Sequence, residues 1–176
     1  ERMEQIYEEV KTPYKYGLAI APADNHHKID CPTVFRQGDK WLMTYVVYNG
    51  KSGTDGRGYE TWIAESDNLL EWRTLGRILS YRDGKWDCNQ RGGFPALPDM
   101  EWGGSYELQT YKGRHWMTYI GGEGAGYEAV KAPLYIGLAS TKGDISTAHE
   151  WESLDKPILS IHDKDAQWWE KLTQYK

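Results

Sequence analysis

Carboxylates, imidazoles and flat aromatics gather in four stretches of the chain that show no strand-like alternation. Asp24, His26, His27 and Asp30 lie within residues 22–32, and Asp55 and Arg57 within 49–58. Asp87, Gln90, Arg91 and Trp102 fall within 77–102, Glu123 within 121–133, with Tyr106 and Glu107 just outside. Carboxylates set among aromatic platforms suit glycoside chemistry, where one acid protonates the leaving oxygen and another activates water or attacks the anomeric carbon. The indole and phenol faces suit the C–H faces of sugar rings, and Arg91 with Gln90 could hydrogen-bond ring hydroxyls. For any single Asp in such a loop, a solvated turn or cap is the commoner role. Asp30 stands apart because it directly precedes a short apolar run beginning at Thr33. His26 and His27 lack a third ligand at metal spacing, and Cys31 and Cys88 make neither a disulfide scaffold nor a zinc set. No metal or cofactor is expected, although a calcium or halide ion in a central channel would leave no trace in the sequence.

These stretches need a frame, and the remainder of the sequence supplies one by repeating. Gly38-Asp39-Lys40-Trp41-Leu42-Met43-Thr44-Tyr45 returns as Lys112-Gly113-Arg114-His115-Trp116-Met117-Thr118-Tyr119. Ile63-Ala64-Glu65-Ser66 returns as Leu138-Ala139-Ser140-Thr141. Glu71-Trp72-Arg73-Thr74-Leu75 with Ile78-Leu79-Ser80 returns as Glu150-Trp151-Glu152-Ser153-Leu154 with Ile158-Leu159-Ser160. Three landmarks in one order define two units, each predicted to hold four short strands: 33–36, 41–48, 61–65 and 71–75, then 106–111, 115–120, 134–139 and 151–154. Both alternating faces of 41–48 are largely apolar, so that sheet must be covered on both sides.

Repeated four-stranded antiparallel units covered on both faces describe the blades of an all-β propeller, the alternative being a two-sheet sandwich of about eight strands. Two blades do not close a ring. The chain is therefore read as the N-terminal part of one propeller domain. Residues 1–29 form an N-terminal segment, 30–80 blade one, 81–160 blade two with its lead-in loop, and 161–176 the approach to a third. In an up-and-down blade the loop into the first strand and the loop from the second to the third share one end, which is where the four reactive stretches fall. Trp62, Trp72, Trp151, Trp168 and Trp169 are expected to present apolar surface to further blades.

Composition narrows the partners. The 176 residues carry 9 Trp and 13 Tyr against 2 Phe, with a net charge of −5 and the basic residues scattered among acids. A nucleic-acid surface would want clustered Lys and Arg, and no run approaches the roughly 18 apolar residues of a membrane span. The expected partners are a carbohydrate and the remaining blades. The first ten residues are charged and helical in character, unlike a signal peptide.

The run Asp30-Cys31-Pro32-Thr33-Val34-Phe35-Arg36-Gln37-Gly38-Asp39-Lys40-Trp41-Leu42-Met43-Thr44-Tyr45 resembles the first blade of the five-bladed propeller glycoside hydrolases grouped around glycoside hydrolase family 43. The later Glu-Trp and Ile-Leu-Ser pieces resemble the blade ends of the same group, so the likeness covers residues 28–160. It implies hydrolysis of polysaccharide or oligosaccharide bonds with inversion, in an extracellular or periplasmic setting. The general base falls on Asp30 and the general acid in later blades. This chain departs from the pattern at Cys31, which stands between Asp30 and Pro32; in an extended strand such an offset changes the face a side chain occupies. Glu107, ahead of the Gly113 turn, is the carboxylate that could replace or assist Asp30, and Asp87, Gln90, Arg91, Trp102, Tyr106 and Glu123 are the expected substrate-binding set. A related phosphorylase, as in propeller family 130, would need converging cations, for which Arg57, Arg77, Arg82 and Arg91 are available. A non-catalytic glycan binder would stack sugar on Trp102, Tyr106 and Tyr127.

Overall fold

A computed structural model describes residues 2–11, 17–22, 24, 26–50, 56–126 and 133–169. A short helix, α1 (Arg2–Val10), buries none of its residues. Eight strands follow: β1 (Lys28–Gln37), β2 (Lys40–Tyr48), β3 (Tyr59–Ser66), β4 (Arg73–Leu79), β5 (Gln90–Pro95), β6 (His115–Gly122), β7 (Tyr135–Thr141) and β8 (Glu152–Ser153). They form two four-stranded antiparallel meanders, β1-β2-β3-β4 and β5-β6-β7-β8. Among the described residues no helix is long and apolar enough to cross a membrane.

β2 shows why each sheet is layered. Its run of aromatic and β-branched residues favours the pleat, and a two-residue turn with Gly38 at φ 58° returns the chain from β1 in register Gln37↔Lys40. Leu42 packs with Phe35, Ile63, Ile78, Leu79, Met117, Tyr119 and Trp151 in a core between the two sheets. Met43, Tyr45 and Val47 face the other way, against Ile20, Ile29, Trp62 and Trp72. Seven of the strand's nine residues are buried, as its two apolar faces require.

The second sheet departs from expectation at its first strand. Residues 106–111 hold only isolated bridges, whereas the paired strand is β5, hidden inside the stretch read as a long loop. Gln-Arg-Gly-Gly-Phe-Pro has no alternation to read, and packing explains the glycines. A methyl at Gly93 would overlap Met117 Sδ and stand 2.9 Å from Leu79 Cδ1. Thr61 Oγ1 of β3 donates to Arg91 O and accepts from Gly93 N, each at 2.7 Å, pinning one sheet to the other. Residues 97–109 then leave the sheet as an ordered excursion, closed by Gln109 N to Leu97 O at 3.0 Å and by the Pro98–Leu108 bridge.

The tryptophans also divide differently from expectation. Trp151 is buried between the sheets, where its backbone N donates to Ile78 O, so it is not an outward surface. Trp62 and Trp72 are half-buried, and Trp168 and Trp169 are exposed.

Candidate functional site

The site is built at the end of the two sheets where β1 and β5 begin. In β1, Asp30 pairs with Val46 and Thr33 with Thr44, so Cys31 and Pro32 together oppose the single residue Tyr45. This is a β-bulge, and Cys31 takes it up in a left-handed conformation at φ 51°. Because the extra residue is absorbed, Asp30 returns to the face of Thr33 and Phe35. That face looks toward the second sheet, since Val46 Cγ1 lies 3.4 Å from where a Cβ on Gly92 would stand. Asp30 is exposed, and its Oδ1 accepts from Cys31 N at 2.7 Å. Burial and then the neighbouring Asp30 charge push the Cys31 thiol up, which keeps it in the unreactive form. Upstream, Asp24 Oδ1 accepts from His26 N, His27 N and His27 Nδ1 at 2.7, 3.0 and 2.9 Å. The His27 bond first, then the backbone bonds, hold the Asp24 carboxyl down to about 2.

On the second sheet the same end is a ring of amides around a glycine-rich turn. β6 runs out at Gly122, paired with Gln90, and Glu123 follows as an exposed residue. Asn89 Nδ2 donates to Glu123 O at 2.6 Å, and Gln90 Nε2 donates to Gly124 O and Gly126 O at 2.8 and 2.9 Å. Arg57, arriving from the first sheet, donates from Nε to Asn89 Oδ1 at 2.9 Å and from Nη2 to Asp83 and Cys88 O at 2.6 and 2.7 Å. Its guanidinium lies 4.4 Å from the centre of the Tyr81 ring. The Arg57–Asn89 connection had no sequence signal beyond Asn89 adjoining Gln90, because its partners come from separate units.

The expected substrate-binding set therefore splits. Glu123 lies on this rim. Asp87 and Arg91 are both at 0% exposure, inside the molecule. Asp87 accepts from Arg82 Nε at 3.0 Å and Tyr119 Oη at 2.8 Å. Arg91 Nε stands 3.2 Å from Asp87 at ion-pair distance without hydrogen-bond alignment, and its Nη atoms reach Ser80 O, Glu150 and Ser153. Gln90, at 1% exposure, donates from Nε2 to the turn and accepts from Tyr59 N at Oε1. Contrary to the expectation of a substrate-binding role, these three side chains are buried and their polar atoms are directed at protein partners.

Glu107, Tyr106 and Trp102 stand at the opposite end. Glu107 bridges Arg36 and its Oε1 accepts from Gly38 N at 3.3 Å, beside the β1–β2 turn. Six residue steps lead from Asp30 to Arg36, roughly 16–17 Å at about 3.3 Å per residue once the bulge absorbs one of them. Glu107 thus does not stand beside Asp30. Tyr106 O accepts from Arg36 N, and its ring meets Trp41 at 6.0 Å. Trp102 is 96% exposed at the tip of the 97–109 excursion. These positions follow from β5, whose pairing carries the backbone to the far end before residue 97. Asp55 and Tyr127 lie outside the described residues. Among the described residues no three His, Cys, Asp or Glu side chains gather as a metal site.

No protein-family model and no curated protein matches the chain. Solved structures do. One described as a complex of BT0996 and RGII and one described as a glycoside hydrolase are each 95% identical to it, with TM-score 0.91 over 99% of its length. This chain spans 50% of theirs. Zg3597, a family 117 glycoside hydrolase produced by the marine bacterium Zobellia galactanivorans, aligns over 74% of this chain and 38% of its own at TM-score 0.52 and 11% identity, a likeness of fold.

Proposed function

We propose that the whole protein is a glycoside hydrolase built on a five-bladed propeller, that the two sheets are its first two blades, and that its site opens at the end where β1 and β5 begin. The observation that carries this is the Cys31 bulge, which brings Asp30 to the face looking toward β5, at the end where Glu123 leaves β6. Asp30 is the general base acting on water in an inverting reaction, and Glu123 is the second carboxylate of the rim, in place of Glu107. The near-identical structure described as a glycoside hydrolase supports the activity, and the one described as an RGII complex supports a carbohydrate as the partner. An extracellular or periplasmic setting belongs to the same reading.

The phosphorylase alternative loses its cations. Arg91 and Arg82 are committed to Asp87, Arg77 to Glu60 and Arg57 to Asp83 and Asn89. Aryl-glycoside turnover by the full-length protein is expected to be the same with and without inorganic phosphate. Asp30→Asn is expected to lower kcat by about 100-fold or more, the usual reach of a lost general base. Glu123→Gln is expected to lower kcat as well, with circular dichroism unchanged. Undiminished turnover in Asp30→Asn would end the base assignment.

A further inference from the structure

The turn that carries Glu123 reads Gly121-Gly122-Glu123-Gly124-Ala125-Gly126. Four glycines in six residues give it a large conformational freedom in isolation, so a defined position for Glu123 must be imposed from outside. We infer that the neighbouring amides of Asn89 and Gln90, keyed to Arg57 on the other sheet, are positioning residues that set the place of Glu123. This rests on the reading of Glu123 as a site carboxylate.

The geometry is that of a two-ended connector. At the turn, Asn89 N donates to Gly122 O at 3.1 Å, Asn89 Nδ2 to Glu123 O at 2.6 Å, and Gln90 Nε2 to Gly124 O and Gly126 O at 2.8 and 2.9 Å. At the other end, Asn89 Oδ1 accepts from Arg57 Nε at 2.9 Å and Gln90 Oε1 from Tyr59 N at 3.3 Å. Gly126 N returns to Arg57 O at 3.3 Å, so the far end of the turn is tied directly to the segment that leads into β3. A primary amide supplies donors on one side and an acceptor on the other. A carboxylate of the same shape keeps the acceptor and turns the donor end into a second acceptor oxygen facing backbone carbonyl oxygens. Gly58 leaves the space: at φ 139°, a methyl there would strike Asn89 O and the Gln90 amide.

Arg57 is itself fixed, stacked on Tyr81 and tied to Asp83 and Cys88 O, while Tyr81 Oη donates to Gly58 O at 2.7 Å. The guanidinium fork matters more than its charge, because Nε and Nη2 address different partners. Lysine in its place keeps one ion pair and loses the link to Asn89.

The test uses the full-length protein with Asn89→Asp, Gln90→Glu and Arg57→Lys. Amide hydrogen exchange over residues 121–126 is expected to quicken about tenfold in each, with Met117 to Ile120 of β6 unchanged. On an aryl glycoside, kcat is expected to fall 10- to 100-fold with KM within a factor of about three, the cost of a misplacement near 1 Å. Unchanged exchange in the turn overturns the positioning role, as does quickened exchange across the whole second sheet, which would mean general loosening. Faster exchange with unaltered kcat removes Glu123 from the chemistry and so overturns the inference as stated. If the wild-type protein hydrolyses no glycoside, the proposed function fails by itself, while the exchange measurement still decides whether the amides place the turn.

Discussion

Asp87 and Arg91 lie wholly inside the molecule, and what they do is best read by removing one of them. Asp87→Asn would leave Arg82 without its carboxylate and Arg91 buried with Glu150 as its remaining counter-charge. Breaking a buried pair this way is expected to cost about 3–5 kcal/mol, well above the effect of a surface ion pair. Equilibrium denaturation of the full-length protein measures it, and a loss below about 1 kcal/mol would show that the cluster is not structural. Burial pushes the Tyr119 hydroxyl up to about 12, with the bond to Asp87 adding to it, so the hydroxyl stays a donor to that carboxylate at neutral pH. His115 gives the pH dependence. Its Nδ1 is buried without a hydrogen-bond partner, and burial lowers its pKa from 6.5. Between 6.5 and the lowered value the unfolded state holds more protons than the folded one, so this contribution to stability is present above pH 6.5 and is lost as pH falls through that window. The melting temperature of the wild type is expected to fall from pH 7 to pH 5 by more than that of His115→Gln. Parallel pH profiles for the two would refute the assignment.

At the scale of elements, two backbone features decide where side chains point. Cys31 occupies the left-handed position that lets β1 absorb an extra residue. A β-branched side chain is strained there, so Cys31→Ile is expected to be less stable than Cys31→Gly by about 1–2 kcal/mol. Deleting Cys31 would remove the bulge yet leave Asp30 two positions before Thr33, on the same face by plain alternation. That deletion is expected to retain turnover, with circular dichroism still showing a folded sheet; a folded but inactive deletion variant would overturn the view that the bulge serves only to absorb the extra residue. The second feature is the glycine surface of the second sheet. A methyl at Gly137 would overlap the Tyr119 ring, which is held by Asp87 and stacked on Trp86 at 5.8 Å and 18°. Neither neighbour can yield easily, and Gly137→Ala is expected to lose about 1–3 kcal/mol by overpacking. A neutral result in urea titration would show that Tyr119 can swing aside.

At the scale of the whole molecule, the apolar outer surface of the second sheet is incomplete. Phe94, Ile120, Ile136 and Leu138 are only half-buried on its outer face, and Leu154, Leu159, Trp168 at 68% exposure and Trp169 are exposed near it. Apolar patches beyond a few hundred Å² drive association. Residues 1–176 expressed alone are therefore expected to self-associate, bind a hydrophobic dye, melt with low cooperativity and hydrolyse no glycoside. Sedimentation velocity beside a thermal scan decides it. A clean monomer with a sharp two-state melt would favour the closed two-sheet sandwich.

The repeat made the two four-stranded units legible without coordinates, because Trp41 to Tyr48 and His115 to Ile120 carry local patterns that any sheet would use. Pairing order within each unit followed from the same locality, since consecutive strands joined by short turns pair as a meander. β5 was not legible: its glycines answer to Met117, Leu79 and Thr61, residues far away in sequence. The same blindness misplaced Trp102, Tyr106 and Glu107, whose end of the sheet is set by which strand precedes them. Asp30 was singled out by its position before an apolar run, yet the face it occupies was decided by a bulge that only the register with Val46 and Thr44 reveals. Asp87, Gln90 and Arg91 look identical in sequence to ligand-binding residues. Charge and hydrogen-bonding capacity belong to each residue by itself, but whether solvent or protein satisfies them is a property of the packed whole.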